Sequence, residues 1–188
     1  ENVLKLCSQF DDQYWLDRDS DGEYPEEFCT AVANGGWVGV AIPEAYGGSG
    51  LGITAAAAIM EEIHKSGCNG AACHAQMYTM GSVLRHGSDA QKQEYLPKIA
   101  TGELRLQAFG VTEPTSGTDT LSLRTTAVKD GNDSYVVNGQ KIWTSRAEHS
   151  DLMLLLARST PRDQVEKRTD GLSVFLVDMR EAIGKGLE

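Results

Sequence analysis

The apolar residues of this 188-residue chain follow two different spacings, and the change between them falls near Gly102. Before it, apolar positions recur every three or four residues, the period that places side chains on one face of a helix. Pro25 stands where a first helical turn tolerates it, Glu26 and Glu27 suit the positive end of a helix dipole, and Gly35-Gly36 halts the run. A further helix is predicted from Thr54, carrying Ile59, Met60 and Ile63, to Ser66-Gly67, and another under Met77, Met80, Val83 and Leu84 ahead of Gly87. Ser88-Asp89-Ala90-Gln91 has the form of a capping box, in which hydroxyl and carboxamide satisfy amides that a helix start leaves open. The helix it opens should run to about Ala100.

After Gly102 the period becomes strand-like. Leu106 to Val111, Thr125 to Lys129, Ser134 to Val137, Lys141 to Thr144, Leu152 to Ala157 and Leu172 to Val177 are short, rich in branched or aromatic residues and divided by turn signals. They are predicted to be antiparallel strands. Asp130-Gly131 and Asn138-Gly139 are hairpin dipeptides, since both residue types reach positive φ cheaply. Thr160 to Asp170, polar with one proline, reads as an exposed loop. The predicted fold class is α+β, with an all-helical domain over residues 1–102 followed by an antiparallel, β-barrel-like domain over residues 103–188. The last residues, Gly184-Lys185-Gly186-Leu187-Glu188, follow a strong strand without a closing element, so the β domain is expected to be incomplete.

Charge narrows the partners. Lysine plus arginine number 17 against 27 for aspartate plus glutamate, a formal net charge of -10 that repels nucleic acid and anionic membranes. No apolar run approaches the ~20 residues that span a bilayer, and Glu1-Asn2-Val3-Leu4 lacks the basic-then-apolar plan of a secretory signal. A soluble intracellular protein is expected, cytoplasmic or, as the alternative, of the mitochondrial matrix. Cys7, Cys29, Cys68 and Cys73 form no CxxC pair and are read as reduced thiols.

Phe109-Gly110-Val111-Thr112-Glu113-Pro114-Thr115-Ser116-Gly117-Thr118-Asp119 is a strand running into a turn that holds four hydroxyls. An ordinary β-turn would account for it. So would a wall for a flat redox ring, which needs apolar contact on its face and hydroxyl or amide donors at its edge.

The second reading gains from a resemblance. Val111 to Asp119 is similar to the V-T-E-P-x-x-G-[ST]-D signature of the acyl-CoA dehydrogenase family. Ile42-Pro43-Glu44-Ala45-Tyr46-Gly47-Gly48-Ser49-Gly50-Leu51-Gly52 resembles that family's helical-domain glycine loop, and Tyr95 to Glu103 the segment leading into its β domain. Asn138-Gly139-Gln140-Lys141-Ile142-Trp143-Thr144-Ser145 is similar to its second flavin motif. The resemblance covers nearly the whole chain.

It implies FAD as cofactor, with Phe109, Val111, Thr112, Gly117, Thr118, Trp143, Thr144 and Ser145 at the cofactor. Val111 and Thr112 would meet the isoalloxazine ring, Trp143 would pack beside it, and Ser145 would stand near N5. Thr118 would also meet the pantetheine side of the substrate. Two departures are visible: Thr115-Ser116 stands where small residues are common, and Arg146 replaces the usual small or amide residue. The implied reaction is α,β-dehydrogenation of an acyl-CoA thioester to the trans-2-enoyl-CoA, with electrons passed to an electron-transferring flavoprotein, in a homotetramer or other homo-oligomer. The family's catalytic carboxylate lies in a C-terminal helical domain with no counterpart here. The segment alone is therefore expected to be inactive, and the natural polypeptide to be about twice as long. Two alternatives are a non-catalytic flavin or acyl-CoA binding relative and a flavin oxidase or hydroxylase on the same fold.

Other segments invite weaker readings. Gly47 to Gly52 lacks the Lys-Ser/Thr of a phosphate loop and reads as a structural turn. His64, Cys68, Cys73 and His74 match no zinc spacing, so no metal site is expected. Glu113 and Asp119 are read as capping or ion-paired carboxylates and not as an acid–base pair. Met77, Tyr78 and Met80 could line an acyl channel or simply be core.

Overall fold

A computed structural model of the chain describes residues 1–132 and 134–182. The final segment from Gly184, on which the expectation of an unfinished β domain rests, lies outside them. The chain divides into two compact units, one from Glu1 to Leu106 and one from Gln107 onward.

The first unit is helical: α1 (Asn2–Cys7), α2 (Asp12–Asp21), α3 (Glu26–Asn34), α4 (Gly52–Lys65), α5 (Ala71–His86) and α6 (Asp89–Ala100). The first two had no individual sequence forecast. Asp11 starts α2 by accepting the Tyr14 amide at 2.9 Å, satisfying one of the orphan donors of the first turn. α3 begins after Pro25 with Glu26 and Glu27 in its first turn and buries Phe28 and Val32. α4 turns Ala56, Ile59 and Ile63 inward at helical spacing. The capping box of α6 is formed on both sides, Ser88 Oγ accepting the Gln91 amide and Gln91 accepting the Ser88 amide. α5 is buried over most of its circumference, so its polar residues need internal partners. Gln76 donates to the Leu104 carbonyl at 2.6 Å and accepts the Leu106 amide at 2.9 Å, while the Thr79 hydroxyl donates to the Leu106 carbonyl. These bonds hold the last residues of the unit at the point where the next strand starts.

The glycine loop between α3 and α4 is closed by its own backbone. Gly50 and Leu51 amides donate to the carbonyls of Ile42 and Val40, and a Cβ on Gly48 would lie 2.1 Å from the Ile42 oxygen. Glycine is demanded there by a backbone contact, in agreement with a structural turn.

The second unit holds β1 (Leu106–Gly110), β2 (Thr126–Asp130), β3 (Ser134–Asn138), β4 (Leu152–Arg158) and β5 (Leu172–Asp178), then a short α7 (Met179–Ala182). The spatial order is β1-β4-β2-β3, with β5 also on β4. β4 pairs with β5 antiparallel from Leu152↔Asp178 to Arg158↔Leu172, and β2 with β3 antiparallel from Thr126↔Asn138 to Asp130↔Ser134. A near-continuous apolar run makes β4 the central strand, whereas β3 is exposed along its length. Ser150, just before β4, accepts the amides of Gln107 and Ala108 and donates to the Leu152 carbonyl, joining β1 to β4.

The α+β class stands, with the helical unit first. Three details of the strand forecast do not. β2 meets β4 parallel, at Thr126↔Arg158, so the pairing is not antiparallel throughout. Residues 141–144 form no strand, because the Ile142 amide is drawn to the carbonyl of Thr112 and not into a ladder. Asn138-Gly139 makes no hairpin: β3 ends there, and Gly139 is required for a different reason given below. Asp130-Gly131 does turn between β2 and β3, with Gly131 at φ 68°.

Candidate functional site

The candidate site is built from the turn after β1 and the irregular loop after β3. Glu113 and Ser116 exchange backbone hydrogen bonds at 2.9 and 3.1 Å, and Ser116 Oγ donates to the Asp119 carbonyl. That folding buries Glu113 and Ser116 and leaves Thr115, Gly117 and Thr118 facing outward.

Glu113, 4% exposed, is the hub. Its carboxylate accepts the amides of Arg124 at 2.6 Å and Thr125 at 2.9 Å, and the Lys141 ammonium at 2.9 Å. Burial alone would raise its pKa, but Thr125, the two amides and Lys141 together outweigh burial and hold it at about 2. Lys141 also donates to the Val111 carbonyl at 3.0 Å, and the Ile142 amide to the Thr112 carbonyl at 2.9 Å. The two segments are thus joined by three bonds at successive residues. Close packing completes the joint. A Cβ on Gly139 would lie 2.2 Å from Thr125 Oγ1 and 2.7 Å from its Cα, so only glycine admits the approach.

Asp119 is tied differently. Its carboxylate accepts the Ser122 hydroxyl at 2.5 Å and the Arg168 guanidinium at 2.6 Å, and those bonds, Ser122 first, lower its pKa. Neither carboxylate offers a free base, as expected of structural groups. The Lys141 contact and the steric role of Gly139 went unread in the sequence. A lone lysine between two turn residues and an apolar pair was the available signal for the first; nothing local marks the second.

The remaining candidate residues flank this joint along the chain. Phe109 is the outward member of β1, 39% exposed between buried neighbours. Val111 and Thr112 are half-buried, with carbonyls taken by Lys141 and Ile142. Trp143 is 85% exposed and sits at φ 59°; Arg146, three residues on, is at φ 61°. Large residues in the left-handed region cost roughly 1–3 kcal/mol each and concentrate where a site is held in shape. Thr144 between them is half-buried and Ser145 exposed. Gly117 has no positive φ, and the Cβ it lacks would meet nothing within 4 Å, so no neighbour among the described residues calls for glycine. Among the described residues the Thr118 side chain makes no hydrogen bond to the 139–146 loop.

This arrangement fits a flat, largely neutral ring. Phe109 and Trp143 offer exposed aromatic surface, Thr112, Thr144 and Ser145 offer hydroxyls, and the nearest buried carboxylate is neutralised by Lys141. The other candidate groups separate. Among the described residues no three His, Cys, Asp or Glu side chains converge as metal ligands. Met77 and Met80 are buried in the helical unit, whereas Tyr78 is exposed with its ring centroid 5.2 Å from that of His74.

Comparison with known proteins fits the same two segments. The family profile of the acyl-CoA dehydrogenase N-terminal domain matches residues 1–103, and that of the middle domain matches residues 108–188. Acyl-CoA dehydrogenase FadE29 of Mycobacterium tuberculosis is 37% identical over 172 residues, covering 91% of this chain and 43% of its own length. The crystal structure of an acyl-CoA dehydrogenase from Geobacillus kaustophilus superposes with a TM-score of 0.84 at 31% identity, over 93% of this chain and 45% of that one. A glutaryl-coenzyme A dehydrogenase in complex with glutaryl-CoA gives 0.83 at 30% identity, over 95% and 45%. The chain spans less than half the length of these relatives.

Proposed function

This chain belongs to the acyl-CoA dehydrogenase family, and from that premise we propose that its protein removes two hydrogens from the α and β carbons of an acyl-CoA thioester, giving the trans-2-enoyl-CoA. The observation that carries the reading is the joint between Thr112 and Ile142, which sets both flavin-motif segments side by side with Trp143 turned outward.

FAD, when bound, would supply the hydride acceptor. The residues of this chain have the work of holding and tuning it. Phe109, Val111 and Trp143 would give it apolar contact, and the hydroxyls of Thr112, Thr144 and Ser145 would be its hydrogen-bond donors. A hydroxyl at Ser145 would stabilise negative charge as it develops on the ring. Gly117 lets the cofactor approach the turn, and Thr118 also meets the substrate's pantetheine arm. Proton removal from the α carbon needs a carboxylate with a free oxygen and a pKa near working pH. Glu113 has neither; by the family resemblance the base belongs to a C-terminal helical domain that has no counterpart in these 188 residues, and the segment alone is inactive. Electrons pass to an electron-transferring flavoprotein, and the working form is a homo-oligomer.

The test is an anaerobic visible spectrum of the full-length protein before and after a mixture of acyl-CoA thioesters. A flavin band that bleaches is the expected outcome. An unchanged band would indicate a binding relative, rapid return of a bleached band once air is admitted would indicate an oxidase or hydroxylase, and absence of flavin would overturn the reading.

A further inference from the structure

Three of the four cysteines, Cys7, Cys68 and Cys73, lie in one buried cluster of the helical unit. Two of them meet directly. Cys68 Sγ lies 3.7 Å from the Cys7 carbonyl and 4.0 Å from that of Phe10. The two residues are 61 apart in sequence, one at the end of α1 and the other in the turn between α4 and α5, and both are free thiols. We propose that Cys7 and Cys68 form a thiol–disulfide modification site, which an oxidant of the disulfide class, such as glutathione disulfide, converts into a cross-link between α1 and the α4–α5 turn.

The exchange balances without further reagents. One cysteine, as thiolate, attacks a sulfur of glutathione disulfide and expels one glutathione thiolate, leaving a mixed disulfide. The second cysteine then attacks the protein-side sulfur and expels the other glutathione. Two protein thiols lose two electrons and two protons, and one glutathione disulfide becomes two glutathione thiols. Access is the slow part, since Cys7 is 2% and Cys68 3% exposed. α1 supplies the route. It is held through the burial of Val3 and Cys7, and a local opening that lifts these two out exposes both sulfurs. Once formed, the link prevents that opening and restricts the unfolded chain. α1 thereby changes from a docked helix to a tethered one.

The experiment incubates full-length protein with glutathione disulfide, alkylates the remaining thiols, digests without reductant and maps the peptides. The expected product is a single linked pair joining Cys7 to Cys68. Cys7→Ser and Cys68→Ser should each abolish it, whereas Cys29→Ser and Cys73→Ser should retain it. Amide exchange in α1 should slow roughly tenfold in the oxidised protein. A link through Cys29 or Cys73, no link under conditions that cross-link the denatured protein, or unchanged exchange in α1 would overturn the proposal.

Discussion

Lys141 and Glu113 form a buried ion pair at 2.9 Å that also fixes the backbone on both sides of it. The same ammonium reaches the Val111 carbonyl, and the same carboxylate caps the amides of Arg124 and Thr125. One pair of side chains thereby ties together the turn after β1, the start of β2 and the loop after β3.

Removing one partner should cost more than the pair contributes, because a buried charge is left alone. Lys141→Met is expected to destabilise the protein by about 3 kcal/mol, measured by urea unfolding, and to weaken FAD retention. Glu113→Gln added to Lys141→Met should recover part of the stability, since the uncompensated charge is then gone. A double variant no more stable than Lys141→Met would show that Glu113 is not the group left unpaired.

The depressed pKa of Glu113 makes a pH prediction with a definite sign. A carboxylate at about 2 when folded and near 4.5 when unfolded binds its proton more weakly in the folded state. Its contribution is complete above pH 4.5 and is lost as pH falls toward 2, roughly 3 kcal/mol in all. Unfolding measured across that range should show a fall that is distinctly shallower in Glu113→Gln. Parallel curves for the two proteins would contradict the assignment.

Two glycines in the motifs should respond in opposite ways. Gly139→Ala forces a methyl group into Thr125 and should cost about 1–3 kcal/mol. Gly117→Ala has open space and should leave stability unchanged within about 0.5 kcal/mol. On the proposed reading it nonetheless weakens FAD binding, which flavin fluorescence on dilution would report.

Trp143 offers a separation of folding from function. A buried tryptophan would cost several kcal/mol to remove, but this one is exposed and held at φ 59°. Trp143→Gly should stay within about 1 kcal/mol of the parent, because relief of the left-handed backbone offsets the added freedom of the unfolded chain. FAD should dissociate faster. A large loss of stability without any effect on FAD would assign Trp143 to the fold instead.

The sequence by itself determined what depends on neighbours along the chain. Helical spacing of Ile59, Met60 and Ile63, the capping box at Ser88 and Gln91, and the Asp130-Gly131 turn all express contacts within a few residues, which the local pattern encodes. The resemblance also located the flavin-motif segments and led to a structural reading of Glu113. Only the tertiary structure decided the contacts between distant residues. Residues 141–144 have strand composition, yet Lys141 and Ile142 spend their hydrogen bonds on Val111, Glu113 and Thr112, some thirty residues earlier. Gly139 belongs to a hairpin-like dipeptide but is glycine because Thr125 lies against it. The parallel step between β2 and β4 and the meeting of Cys7 with Cys68 likewise arise from how the chain returns on itself. Periodicity records which face of an element is buried; the identity of what covers that face is settled by packing, where distant residues compete for the same donors and the same space.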